Sequence, residues 1–404
     1  MDKIDFSKLD KEFYNNYKSQ LEFFWKYAEK LDKTVKYNST DVVLFRLDLI
    51  GDCTMFTSAA KALREFYKDR KMTVVCLNIS KPIFEHLNCF DEIITVDFKP
   101  DNINYEKLGE VIDVLSRRVF DILLQPQISK LPIVDIIVAS LKVNKRITIE
   151  TKVGNSPEGW VKMVECLYDV SIPYPRKKSS EFDFYATFVR GIVGEDFRLS
   201  KPVLGFSEQK FIKDDYYVFF PAGSVKQKFW PPERFAKVAD YVCRKTKLKC
   251  VILGAKSEKW VSELIYMNVH SSTEPYIIDL CGKTSINDVI DIIGNSKFVV
   301  SNDTSGVHIA CATNVPSVGI AGGWYFDRFL PYHIEKTAPT DKLPLVAYTN
   351  MQCYGCEWLW TVMEKTNPYC LNLLKGQDVC PCIQKVRTEQ VIELVDKILS
   401  EAGY

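Results

Sequence analysis

Three stretches combine residue types that could do chemistry. Residues 299–310 read VVSNDTSGVHIA. An apolar strand end turns through Asn302, Asp303 and Thr304 into what reads as a helix start at Ser305. Asp and Thr side chains accept orphan N–H bonds at such a start. The start also presents N–H groups and a partial positive charge, which suit a phosphate. His308 lies about one turn further on, where it can face the same site as Asp303. The plain alternative is a capped helix with a satisfied histidine. The second stretch, PAGSVKQKFWPP at 221–232, follows an apolar run. Gly223 and Ser224 can approach a phosphate closely there, and Lys226 and Lys228 supply cations, unless both are merely solvated loop charges. The third, RLDLIGD at 46–52, leaves an apolar run through Gly51 and puts Asp52 at the opening of a helix. It lacks the G-x-G-x-x-G dinucleotide fingerprint.

Thirteen cysteines are present. Eight are spread through apolar segments and read as small buried hydrophobes. The other five, Cys353, Cys356, Cys370, Cys380 and Cys382, are packed into one short region. C-x-x-C is a metal-ligand spacing, and four thiolates would close a tetrahedral zinc or iron site. Cys353, Cys356, Cys370 and Cys382 are the expected ligands, with Cys380 as the alternative fourth. Such a site would be structural, because it leaves no open position. A reduced hairpin without metal is the other reading.

These stretches need elements to position them. Residues 5–36 place Phe13, Tyr17, Leu21, Phe24, Ala28 and Leu31 at helical spacing, with Phe6 and Leu9 before them. That predicts an N-terminal helical extension packing on its own or a partner chain. From residue 42 onward short apolar runs alternate with helical patterns: runs at 42–45, 73–77, 92–96, 120–124 and 146–149, then again at 216–221, 249–254, 276–279, 297–301 and 317–320. Alternation of this kind predicts parallel sheets covered by helices on both faces. A polar, proline-containing stretch around PYPRKKSSEFDF separates the two series. The expected fold class is α/β, with two Rossmann-like domains and a ligand site beyond the carboxyl ends of the strands.

Bulk properties agree with a globular protein. The 404 residues suit two domains, and 47% apolar with 26% charged residues is ordinary for a globular chain. A net charge of +1 gives no general field for nucleic acid. No apolar run reaches the ~20 residues of a spanning helix, and the N-terminus does not read as a signal peptide. The expected location is cytoplasmic, with peripheral contact to the inner membrane left open.

The ordered set FRLDLIGD, FFPAGSVKQKFWPPERFAKVA, VILGAKSE, LCGKTSINDVIDIIGNSKFVVSNDTSGVHIACATNVPSVGI and the C-terminal cysteines resembles glycosyltransferase family 9, the ADP-heptose heptosyltransferases. The resemblance implies a GT-B fold, two domains facing across a cleft. Residues 41–200 would bind the acceptor and 201–404, including the Cys-rich segment 353–382, the nucleotide sugar. Residues 1–40 form the extension. It implies an inverting, metal-independent transfer of heptose or a related sugar from an ADP-sugar to lipopolysaccharide core. Asp52 matches the family base, and Lys228, rather than Lys226, the family lysine. Asp303, Thr304 and His308 match D-T-x-x-x-H, although Ser305 stands where relatives have Gly. Gly254 would lie near ribose or base. Asp48 and Leu49 replace two small serines on the acceptor side. A protein O-heptosyltransferase acting on autotransporters is the alternative enzyme, since some relatives of that kind carry a cysteine-held iron finger. A non-catalytic sugar-nucleotide-binding protein is the third reading. Homo-oligomer formation is left open.

Overall fold

The computed structural model describes residues 11–97, 104–151, 158–175, 179–223, 225–356, 370, 372 and 379–404. The chain divides into two compact units. The first contains residues up to 49, 59–178 and 183–197; the second contains 50–58, 179–182 and 198–404. The strands expected from the apolar runs all form. They are joined by two further three-residue strands.

In the first unit the strands are β1 (Val42–Arg46), β2 (Met72–Leu77), β3 (Glu92–Val96), β4 (Val119–Gln125), β5 (Lys142–Ile149) and β6 (Val170–Ile172). They form one sheet in the order β3-β2-β1-β4-β5-β6, parallel throughout. β1 and β2 are buried at every position, as strands covered on both faces must be. The helices are α1 (Lys11–Ala28), α2 (Ile50–Met55), α3 (Thr57–Phe66), α4 (Lys81–Leu87), α5 (Tyr105–Ser116), α6 (Pro132–Ser140), α7 (Glu158–Val164) and α8 (Glu181–Val193). Of these, α2 falls in the second unit.

The N-terminal helix ends at Ala28 rather than running to residue 36, and it packs on its own chain. α1 packs on α6 and buries Leu21, Phe24 and Ala28 in the first unit's core, with Phe24 edge-on to Trp160 at 5.5 Å. The expected positions Phe6 and Leu9 lie outside the described residues. Asp135 of α6 is fully buried, and Trp160 and Tyr168 each donate to its carboxylate at 2.8 Å. Those two bonds offset part of the cost of burying a charge, yet desolvation still raises its pKa.

In the second unit β7 (Tyr216–Phe220), β8 (Lys249–Ile252), β9 (Ile277–Asp279), β10 (Val299–Asn302), β11 (Ser317–Ile320) and β12 (Leu345–Ala347) form a parallel sheet in the order β12-β11-β10-β7-β8-β9. Its helices are α9 (Pro232–Thr246), α10 (Lys259–Asn268), α11 (Ile286–Gly294), α12 (Ser305–Ala312), α13 (Pro381–Gln384) and α14 (Thr388–Glu401). Pro232 sits at the start of α9, where its missing N–H costs nothing. The C-terminal segment is fastened to the unit: Trp230 donates to the Val386 carbonyl at 2.8 Å, and Tyr241 and Lys245 both bond Asp396.

All thirteen cysteines are described, and none is joined in a disulfide. Six of the eight scattered ones are buried as expected. Cys89 is half-buried and Cys166 exposed, each lying at the end of a helical stretch rather than inside a strand.

Candidate functional site

Asp52 sits in the first turn of α2, a half-buried carboxylate. α2 belongs to the second unit because it packs against α12. Gly51 permits this contact: a Cβ there would lie 3.3 Å from His308 Cδ2 and 3.7 Å from the Ser305 Cα. The expected division at residue 200 therefore differs from the contacts, which place 50–58 and 179–182 with the second unit.

Beyond β10 the chain enters α12 with Thr304 as its N-cap residue, but the Thr304 side chain makes no capping bond. Its hydroxyl lies 3.3 Å from that of Ser301 instead. The expectation that Asp303 or Thr304 caps this helix is thus overturned. The first N–H groups of a helix lack intrahelical partners, so those of Ser305 and its neighbours depend on some other acceptor.

Asn302 has a role that its sequence position did not signal. Its side chain donates to the Pro221 carbonyl at 2.5 Å and accepts from the Trp230 N–H at 3.2 Å. Both ends of the 221–230 loop are thereby tied to β10. At the loop's start Gly223 lies so near Thr304 that a Cβ would come within 2.4 Å of Thr304 Cγ2. Ser224 lies outside the described residues.

The two lysines of the loop differ. Lys226 is exposed, with its ammonium 5.5 Å over the Trp260 ring. Lys228 turns inward, its ammonium 5.1 Å over Trp324 and 5.0 Å over Tyr325. Desolvation lowers the Lys228 pKa, while Asp303 and Asp52 pull it back up. Asp303, buried to 9% exposure, is raised to about 6 by desolvation, with Lys228 opposing. Gly254, at the end of β8, is walled by Glu258 and Cys281, at 3.1 and 3.2 Å from where a Cβ would stand. Phe229 stacks on Trp260 of α10.

His308 is buried, and desolvation lowers its pKa to about 3. It is therefore neutral near pH 7, and its 3.9 Å approach to Asp303 is no ion pair. The Nε2 atom faces that carboxylate, which favours a proton on Nε2. Nδ1 then accepts from the Tyr332 hydroxyl at 2.7 Å. Tyr332 in turn packs on Phe182.

The run WYFDRF at 324–329 supplies another charge at the site, and no motif pointed to it. Arg328 is paired with Glu181 at 3.0 Å and feels the charge of Asp52. An arginine among aromatic residues was the available signal. The second unit thus gathers Asp52, Lys228, Asp303, His308 and Arg328, two acids and two cations with a neutral imidazole. Such a group can accept a proton and stabilise an anion in one place.

In the first unit a separate cavity of about 990 Å³ is lined by Lys130, Thr148, Glu150, Tyr168 and Tyr174 among others. Lys130 is buried and donates to Gln125 Oε1 at 2.9 Å, to Thr148 and to the Ile149 carbonyl at 3.3 Å. Desolvation lowers its pKa to about 8. None of the motif residues lines this cavity.

The cysteines do not form the expected tetrad. Among the described residues no group of three or more His, Cys, Asp or Glu has the arrangement to hold a metal. Cys380 and Cys382 are buried at the start of α13, Cys353 and Cys370 half-buried, and Cys356 exposed. Cys380 caps α13 with its backbone, its N–H bound to the Gln227 carbonyl, so helix formation fixes where the C-x-C pair points. The pair shares a hydrogen bond that pushes Cys380 up and Cys382 down to about 7, and Cys370 also hydrogen-bonds Cys380.

Each of the two all-parallel α/β units has the Rossmann-like architecture from which a GT-B fold is built. Residues 188–353 match the family model of glycosyltransferase family 9 (heptosyltransferase). It is 28% identical over 153 residues to a lipooligosaccharide heptosyltransferase 2 of Haemophilus ducreyi, covering 38% of this chain and 39% of that protein. It is 33% identical over 95 residues to the Haemophilus influenzae protein of the same name, covering 24% and 27%. The chain thus spans less than half the length of these curated relatives. Among solved structures it is similar to an E. coli ADP-heptose lps heptosyltransferase II, with TM-score 0.65, 15% identity and coverage of 90% and 100%. A Veillonella parvula glycosyl transferase family 9 structure gives TM-score 0.68 at 18% identity, covering 92% and 100%. An iron-containing dodecameric glycosyltransferase, TibC, from enterotoxigenic E. coli gives 0.53 at 13%, covering 90% and 77%. No helix among the described residues is long and apolar enough to cross a membrane.

Proposed function

We propose that this chain transfers heptose or a related sugar from an ADP-sugar to a lipopolysaccharide core acceptor, inverting the anomeric centre. The observation that carries the reading is Asp52 held on α12, within the charge field of Lys228. Asp52 takes the proton of the acceptor hydroxyl as its oxygen attacks the anomeric carbon. The bond to the nucleotide breaks on the opposite face, and the electron pair leaves with ADP. Lys228 and the first N–H groups of α12 meet the charge that develops on the diphosphate, with Gly223 allowing close approach. Asp303 takes sugar hydroxyls, and neutral His308 donates from Nε2. Gly254 and Ser305 complete the donor side. The first unit holds the acceptor. The chemistry uses no metal. The enzyme works on the cytoplasmic side, where nucleotide sugars are made.

Release of ADP from ADP-heptose in the presence of lipopolysaccharide core tests the reading. Asp52→Asn should lower turnover by about 100-fold or more while leaving ADP binding intact, the scale expected when a base is lost. Turnover close to wild type would remove Asp52 from the mechanism. Absence of nucleotide release by the wild-type protein would favour a binding protein.

A second reading, transfer to a protein acceptor, is supported by the fold likeness to the iron-containing glycosyltransferase TibC. A zinc or iron taken up by the C-terminal cysteines would be structural and would not enter the reaction. Elemental analysis of fresh protein should give about one equivalent, reduced in Cys382→Ser. Metal-free protein of unchanged stability counts against a metal.

A further inference from the structure

We infer that Arg328 is a second cationic contact for the donor's diphosphate, set in place by Glu181 and working beside Lys228. The inference rests on the donor-site reading above.

Burying a guanidinium is costly unless it is paired and held. Arg328 is 13% exposed at the side chain, and one carboxylate pairs with it, Glu181, 7% exposed, through Nε at 3.0 Å. The Glu181 N–H also donates to the Arg328 carbonyl at 2.8 Å, so side chain and backbone are clamped by one residue. The Arg328 N–H bonds the Tyr325 carbonyl at 2.9 Å, and Asp327 and Leu330 close the turn at 2.8 Å. The guanidinium lies between the rings of Tyr325 and Phe329, at 5.1 and 5.0 Å. Its position is set before any ligand arrives.

A guanidinium carries five N–H donors in a fixed fork. Glu181 takes Nε, and the Nη atoms make no hydrogen bond among the described residues. The Tyr325 ring bears both Arg328, at 5.1 Å, and the Lys228 ammonium, at 5.0 Å. The two charges are therefore no more than roughly 10 Å apart, about a Debye length at 0.1 M salt. They repel, and Arg328 contributes to the lowered pKa of Lys228. An anion shared by both relieves that repulsion. The same loop reaches α12 through Tyr332, whose hydroxyl bonds His308 at 2.7 Å. The cations thus belong to the body that holds the helix start suited to phosphate. A diphosphate, with oxygens on two phosphorus atoms, can engage a fork and an ammonium together. A neutral nucleoside cannot.

Calorimetric titration with ADP and with adenosine tests the assignment, because a general loosening of the site would weaken both. Arg328→Gln alone would strand a buried Glu181, so the double variant R328Q/E181Q is compared with wild type and with Arg328→Lys. A cooperative melt of the double variant confirms its fold. The expected result is an ADP affinity lower by about 10- to 100-fold, the scale of a lost charge-assisted hydrogen bond. Adenosine affinity should stay within about twofold. Arg328→Lys should fall between, because it keeps the charge and loses the fork. Equal losses for ADP and adenosine, or unchanged ADP affinity, overturn the inference. A turnover loss in Arg328→Lys with no change in the ADP-to-adenosine ratio also overturns it, since Arg328 would then serve Asp52. Failure of wild-type protein to bind ADP would instead refute the donor-site reading itself.

Discussion

At the residue scale the most constrained group is Asp303. Its pKa of about 6 exceeds its unfolded value near 3.9, because burial penalises the carboxylate more than Lys228 relieves it. The sign follows from linkage. Between those two values the folded state holds more protons than the unfolded state, so Asp303's contribution is greatest below about pH 4 and is lost as pH rises through 6. Asp303→Asn should therefore melt higher than wild type at pH 7.5, by on the order of 2 kcal/mol. The difference should vanish below about pH 4. His308 acts in the opposite sense, since its lowered pKa costs stability as pH falls below 6.5. It is present in both proteins, so it cancels in the comparison. Thermal melts of the two proteins from pH 4 to 8 measure the difference, and a constant offset would contradict the assignment. Turnover in Asp303→Asn should fall all the same, so this carboxylate trades stability for function.

At the scale of elements, the 221–230 loop and the start of α12 act as one piece. Asn302 ties both ends of the loop to β10, and Gly223 touches Thr304. Gly223→Ala places a methyl 2.4 Å from Thr304 Cγ2, which forces the loop or the helix start to move. Overpacking of this kind costs about 1–3 kcal/mol, and the displaced groups are those proposed for the diphosphate. ADP affinity should drop at least about tenfold in Gly223→Ala. The added change Thr304→Ser removes the offending methyl and should restore much of it. Titration of the single and double variants checks this. A double variant no better than Gly223→Ala would mean that the contact is not the cause. The motif spacing was legible in the sequence because helix starts and glycine turns are local. The Asn302 clasp was not, because its partners Pro221 and Trp230 are more than seventy residues away in the chain.

At the scale of the molecule, the two units have separate cores. α1 completes the first: Phe24 is fully buried against Trp160 and the face of α6. Phe24→Ala should destabilise that unit by about 3–5 kcal/mol. ADP binding at 25 °C should persist, since the residues proposed for the donor belong to the second unit, which has a core of its own. A two-step melt with an early first transition, measured with and without ADP, is the expected outcome. ADP should shift only the later step. One cooperative transition, moved as a whole, would show that the cores are coupled.

The sequence alone determined the alternation of strands and helices and the parallel sheets, and it singled out Asp52, Lys228, Asp303 and His308 as candidates. These depend on short-range signals: apolar runs, glycine turns and the order of the motifs along the chain. The three-residue strands β6 and β12 were not among the expected runs. Only the tertiary structure decided that α2 leaves β1 to join the second unit, which takes Asp52 with it to Lys228. It also decided which loop lysine turns inward, and it drew Arg328 and Glu181 to the same place from 147 positions apart. The cysteine spacing allowed a tetrad, but the backbone cap at Cys380 fixed the pair on α13 and left Cys356 exposed. The physical reason is the same in each case. Burial and charge pairing act between residues distant in sequence, and local pattern carries no record of which distant partner a side chain will meet.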